Sequence, residues 1–211
     1  MSTLLLMSSS HFLTSKYAKI LPIKINTAKI AYITTAAKGS ITGISRKKVE
    51  ATIKRMKRAK YDVEEIDIEG KTKTELRKIL KNKNIIFVAG GNTFYLLKAV
   101  RESGFDVVVK EALKRGSVYA GSSAGSYICC PTIEVTTWKH GDSNLCGLKN
   151  LKAMNLVPFL IKAHYEPKHK KDIQKGIAST KYPVKILTDK QALFVDGKDV
   201  WLVGEGEEVK L

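Results

Sequence analysis

The chain has 211 residues, 44% of them hydrophobic, and its 37 Lys and Arg against 20 Asp and Glu give a formal net charge of +17. That length suits one α/β domain, residues 1–211, with a sizeable core. Three cysteines without C-x-x-C spacing suggest neither a disulfide framework nor a zinc site, and fit a reducing cytoplasm. Met1–Met7 has no basic segment before its short apolar run, so it reads as a first strand rather than a signal peptide. No apolar run approaches the length of a membrane span.

In chain order, Leu4–Met7 is a short buried strand, and Ser8-Ser9-Ser10 is the loop at its carboxyl end. Lys29–Ala36 is a second, β-branched strand with a small polar exit at Thr34–Ala37. Ser45–Lys60 is a basic amphipathic helix whose narrow apolar stripe is Val49, Ile53 and Met56. Val63–Ile68 is a third strand. Lys73–Lys81 is a helix, with Thr72 and Glu75 spaced as a capping box. Asn84–Ala89 is a fourth strand, followed by Gly90-Gly91 and by a helix from Thr93 with Asn92 as N-cap. Phe105–Arg115 is a further helix, and Ser117–Ala120 a fifth strand. This alternation implies a three-layer α/β fold, a mainly parallel sheet with helices on both faces. Its site would lie beyond the carboxyl ends of the strands.

After Pro131 the rhythm changes. Thr132–Lys149 reads as a polar loop with an edge strand, and Leu156–Tyr165 is apolar and ends in Ala163-His164-Tyr165. Lys168–Thr180 is a helix. Val184–Leu187, Gln191–Val195 and Asp199–Val203 are short strands read as an antiparallel extension of the same domain, with Asp196-Gly197 as a hairpin turn.

The stretch with the most chemistry is Gly121-Ser-Ser-Ala-Gly125, between a strand and a helix. Gly-x-Ser-x-Gly in that setting is a nucleophile elbow: the sharp turn lifts the Ser123 hydroxyl above the sheet edge, and small flanking residues let the backbones approach. A serine nucleophile needs a base. His164 closes an apolar run and should face a cleft. His140, in the polar loop, is its rival; His11 reads as solvent-exposed and His169 as part of a Lys-rich helix start. Backbone N–H groups of Gly91 and Ala124 could converge on a carbonyl oxygen as an oxyanion hole.

These motifs carry a resemblance. Val88-Ala-Gly-Gly-Asn-Thr-Phe-Tyr-Leu-Leu97, Gly121–Gly125, Cys130-Pro-Thr-Ile-Glu134, Gly147-Leu148, Asn155-Leu-Val157 and Ala163-His164-Tyr165 resemble the peptidase E and cyanophycinase family of serine peptidases. The resemblance implies a fold like the class I glutamine amidotransferases, with serine at the elbow. It implies a cytoplasmic hydrolase cleaving small peptides, dipeptides with an N-terminal aspartate in the peptidase E branch, through a Ser–His–Asp/Glu arrangement. Ser123 would be the nucleophile and His164 the base. For the acid, Asp142 is favoured from its spacing to His164, with Asp189 after the Val184–Leu187 strand as the main rival and Glu134 third. The cation that would select an N-terminal aspartate is left open among Lys139, Lys162 and Lys168.

The partner expected is a small peptide substrate, with no membrane, no metal and no organic cofactor. A homodimer is left open. The basic residues are spread along helices as solvated faces, and the Ser45–Lys60 helix has no aromatic residue to stack on a base, so nucleic acid is disfavoured. The alternatives are an amidase, esterase or cyanophycinase-like hydrolase of the same fold, or a non-catalytic basic domain binding nucleic acid or protein.

Overall fold

The computed structural model describes residues 2–24, 27–39, 44–138 and 141–211. Among these residues the strands are β1 (Thr3–Met7), β2 (Lys29–Ile33), β3 (Asp62–Ile66), β4 (Ile85–Val88), β5 (Val118–Ser122), β6 (Leu160–Lys162), β7 (Val184–Ile186), β8 (Gln191–Asp196) and β9 (Asp199–Gly204). Its α-helices are α1 (Ile44–Arg58), α2 (Lys73–Leu80), α3 (Thr93–Ser103), α4 (Phe105–Lys114), α5 (Ala124–Tyr127) and α6 (Lys170–Ser179).

Seven strands form one sheet in the order β3-β2-β4-β5-β1-β8-β9. The first five are mutually parallel, and β8 and β9 add an antiparallel edge. The middle strands are apolar along their whole length because both faces are covered. On β1, Leu4 and Leu6 point into one apolar cluster and Leu5 and Met7 into the other. The first cluster takes Leu76 and Leu80 of α2, with α3, α4 and α5. The second takes Val49 and Met56 of α1, with Phe12 and Leu13. The three-layer α/β expectation therefore holds.

Local signals hold as well. Thr72 and Glu75 form the reciprocal capping box, and the Asn92 side chain accepts from the Tyr95 N–H at 2.9 Å. Gly197 takes φ 62° in the β8–β9 turn. Two expectations are corrected. The 132–149 stretch has no edge strand among its described residues, only a 3-10 turn at Glu134–Thr137 and a single bridge from Thr132 to Lys152. β7 does not join the antiparallel edge. It pairs in parallel with β6 as a separate two-stranded sheet, with Lys162 opposite Ile186.

That small sheet positions the site. Lys162 and Ile186 are the last residues of their strands, so the chain emerges from both at the same end. The pairing continues one step further, the Leu187 N–H donating to the Lys162 carbonyl at 2.9 Å and the Tyr165 N–H to the Leu187 carbonyl at 3.0 Å. His164 and Asp189, just past the two strand ends, become neighbours.

Candidate active site

Ser123 sits between β5 and α5 with φ 51° and ψ −110°, a left-handed conformation that costs a non-glycine residue about 1–3 kcal/mol. The surroundings hold it there. Its N–H donates to the Met7 carbonyl at 2.9 Å, and its own carbonyl accepts from the Ser126 N–H at 2.8 Å and the Tyr127 N–H at 2.9 Å. The buried Ser126 hydroxyl lies 2.8 Å from the Gly121 carbonyl and 2.9 Å from that of Met7. A Cβ on Gly121 would stand 2.5 Å from the Gly125 carbonyl oxygen, and one on Gly125 would overlap the Val88 carbonyl. The glycine spacing is thus set by backbone packed against backbone.

The Ser123 Oγ lies 2.9 Å from His164 Nε2, and His164 Nδ1 lies 2.6 Å from Asp189 Oδ1. His164 is itself in a left-handed conformation, φ 58°. Ser8 ties the group to the large sheet. Its fully buried hydroxyl donates to Asp189 Oδ1 at 2.8 Å and accepts from the His164 backbone N–H at 2.9 Å. The hydrogen bond from His164 holds the Asp189 carboxyl down at about 2, with the Ser8 hydroxyl adding to it and partial burial working the other way. The His164 and Asp189 side chains are both at least half exposed, open to a ligand arriving from solvent.

The carboxylate beside His164 is that of Asp189, the rival named from the sequence, and not that of the favoured Asp142. The Asp142 carboxylate instead accepts from the Thr93 N–H at 2.8 Å and the Thr93 hydroxyl at 2.5 Å, at the start of α3. It stays close to Ser123, lining the same cleft. Glu134 is directed elsewhere, accepting from the Thr180 hydroxyl. His140 and Lys139 lie outside the described residues. His11 is half-buried against the Phe12 ring rather than exposed, and burial pulls its pKa down. Sequence reasoning missed Ser8. Its place at a strand's carboxyl end was readable, but its two long-range partners depend on register.

The cleft above Ser123 is about 470 Å³, and Ser8–Ser10, Gly90–Asn92, Ser122, Ser123, Asp142 and His164 line it. The loops after β1, β4 and β5 thus meet at one end. The loop after β2 supports them from beneath, the Ala36 carbonyl accepting from the Asn92 N–H at 3.0 Å. Gly91 has φ 148°, and a Cβ there would overlap the Ala36 carbonyl. Ala124, buried, is the first residue of α5, where a backbone N–H has no acceptor within the helix. A smaller pocket of about 150 Å³ shares Ser123, Asp142 and His164 with this cleft and has Lys162, Glu166 and His169 in its walls.

A serine on a strained strand–helix turn, in line with an imidazole and a carboxylate from the small sheet, is an arrangement suited to acyl transfer. Several known peptidases are similar to this chain. An uncharacterized peptidase of Listeria monocytogenes is 29% identical over 198 residues, covering 90% of this chain and 95% of its own. Peptidase E of Escherichia coli is 40% identical over 86 residues, 41% of this chain and 36% of that protein. The crystal structure of a Listeria monocytogenes protein named as a candidate peptidase E superposes with a TM-score of 0.83 at 28% identity, covering 98% of this chain and all of the other. A peptidase from an acI-B1 actinobacterium shares the fold, with a TM-score of 0.72 at 16% identity over 97% of this chain and 88% of its own. Residues 4–203 match peptidase family S51, the span that runs from β1 to β9 and includes Ser8, Ser123, His164 and Asp189; the chain belongs to that family.

Proposed function

We propose that this chain is a serine peptidase that hydrolyses small peptides, dipeptides with an N-terminal aspartate foremost, through an acyl-enzyme on Ser123. The observation that carries the reading is the unbroken line of hydrogen bonds from the Ser123 Oγ through both His164 ring nitrogens to Asp189. As Ser123 attacks the scissile carbonyl carbon, His164 Nε2 takes the hydroxyl proton. Asp189 holds the ring in the tautomer with hydrogen on Nδ1 and stabilises the imidazolium. The carbonyl oxygen gains negative charge and is received by the backbone N–H groups of Gly91 and Ala124. His164 then gives its proton to the leaving amine. Water, deprotonated by the same ring, attacks the acyl carbon and returns Ser123 to its hydroxyl form.

Asp189 suits its part. Held at about 2, it stays ionised throughout the range in which a peptidase works, so it accepts from Nδ1 and does not compete for the proton. No helix among the described residues is long and apolar enough to cross a membrane, and Cys129, Cys130 and Cys146 are all free thiols, which suits a cytoplasmic enzyme.

Treatment with a fluorophosphonate, followed by mass-spectrometric mapping and a dipeptide panel, tests the reading. The adduct is expected on Ser123, with hydrolysis of Asp-X dipeptides abolished in step. Turnover that survives complete modification of Ser123, or an adduct on another serine, overturns it.

A further inference from the structure

The pocket of about 150 Å³ beside Ser123 and His164 contains a cation that the proposed chemistry does not use. Lys162 is the last residue of β6, two before His164, and only 8% of its surface is exposed. Lysines at that depth are rare unless paired. Yet among the described residues its Nζ has no carboxylate within ion-pair distance, whereas Lys168, at the same end of the molecule, is paired with Glu166. Burial pulls the Lys162 pKa down, and the field of Asp142 partly restores it. A mostly buried lysine without a counter-ion gains from an anion delivered to its ammonium.

Asp142 stands in the same walls, anchored by Thr93. Of the two carboxylates in its walls Glu166 is paired with Lys168, so the pocket offers the Asp142 carboxylate and the Lys162 ammonium next to Ser123. The complementary acyl group has one ammonium and one carboxylate, as an N-terminal aspartate does.

We infer that Lys162 is the side chain that selects an acidic residue on the acyl side of the scissile bond, with Asp142 across the pocket receiving the free α-ammonium. The assignment rests on Ser123 being the nucleophile. It separates Lys162 from Lys168, which is exposed and already paired. It also gives the exopeptidase character a cause, since Asp142 rewards a free amino terminus and gives nothing to an internal peptide bond.

The test compares kcat/KM for Asp-Leu and Asn-Leu, substrates of nearly equal size that differ by one charge. The wild-type chain is expected to prefer Asp-Leu. In K162M the ratio should fall about tenfold to a hundredfold, the scale of a lost charge-assisted hydrogen bond. K168M should leave the ratio unchanged. Free L-aspartate should also slow fluorophosphonate labelling of wild-type Ser123 at concentrations where L-asparagine does not, a readout independent of how any variant folds. A ratio undiminished in K162M, or equal protection by the two amino acids, overturns the assignment of Lys162 while Ser123 labelling leaves the serine-peptidase reading standing. Absence of both labelling and hydrolysis in the wild-type chain overturns both.

Discussion

The two sheets contribute to the site in different ways. The seven-stranded sheet supplies Ser123 through a turn whose geometry is local: glycines at 121 and 125, a strained φ, and a backbone packed on Val88. The two-stranded sheet supplies His164 and Asp189 through register alone, since parallel pairing of β6 with β7 is what brings residues 25 apart into contact. Ser123 is thus placed by a motif, and His164 and Asp189 by a pairing. One consequence is that changes at the elbow glycines disturb structure and chemistry together. Changes at His164 or Asp189, both at least half exposed, act on the chemistry with little effect on the core.

The sharpest break of that contrast removes the hydroxyl. S123A is expected to lower kcat by about 10⁴- to 10⁶-fold while leaving the fold intact, because alanine replaces serine with no new atom. D189N comes next. The amide nitrogen can no longer accept from Nδ1, the ring loses its preferred tautomer, and kcat should fall by about 10³- to 10⁴-fold. D142N separates the two carboxylates, since it should raise KM for dipeptides by about ten- to a hundredfold with a much smaller effect on kcat. Steady-state kinetics on the three variants decides the order. Equal kcat losses in D142N and D189N would return Asp142 to the catalytic line.

These expectations also mark what could be read without coordinates. The elbow, the Asn92 cap, the Thr72–Glu75 box and the mainly parallel sheet were legible because each is written in residues a few positions apart. His164 was legible as the polar end of a buried apolar run. The acid was not, because β6 and β7 are three residues each and carry no signal of whom they pair with. Asp142 was favoured from its spacing to His164, and spacing along the chain carries no information on which strands pair. Ser8 was hidden for the same reason: both of its partners lie more than 150 residues away.

The elbow predicts a stability effect that the small sheet does not. G125A would drive a methyl group into the Val88 carbonyl, a rigid backbone atom of a central strand. Overpacking of this kind costs about 1–3 kcal/mol or more, and a lowered urea midpoint with an unchanged m-value would report it. S8A probes the link between the sheets. Removing the hydroxyl strips one donor from Asp189 and leaves the His164 N–H without its acceptor. The expected loss is about tenfold in kcat, with KM nearly constant.

The smallest effect concerns pH, and its sign follows from Asp189. Its carboxyl is lowered from an ordinary 3.8 to about 2, so the folded state binds its proton less readily than the unfolded chain does. The stabilisation it brings is therefore fully present above about pH 4 and drains away as pH falls toward 2. Because the side chain is more than half exposed, solvent screening keeps the contribution in the range of a surface pair, about 0.2–1 kcal/mol. For a chain of this length that is a difference of about 1–3 °C in Tm between wild type and D189N. Thermal unfolding of both at pH 6, 4 and 2 should show the gap at the first two values and its closure at the third. A gap that widens toward pH 2 would mean that the carboxyl is protonated more readily in the folded chain than in the unfolded one, which is incompatible with a short hydrogen bond between its ionised form and the His164 ring.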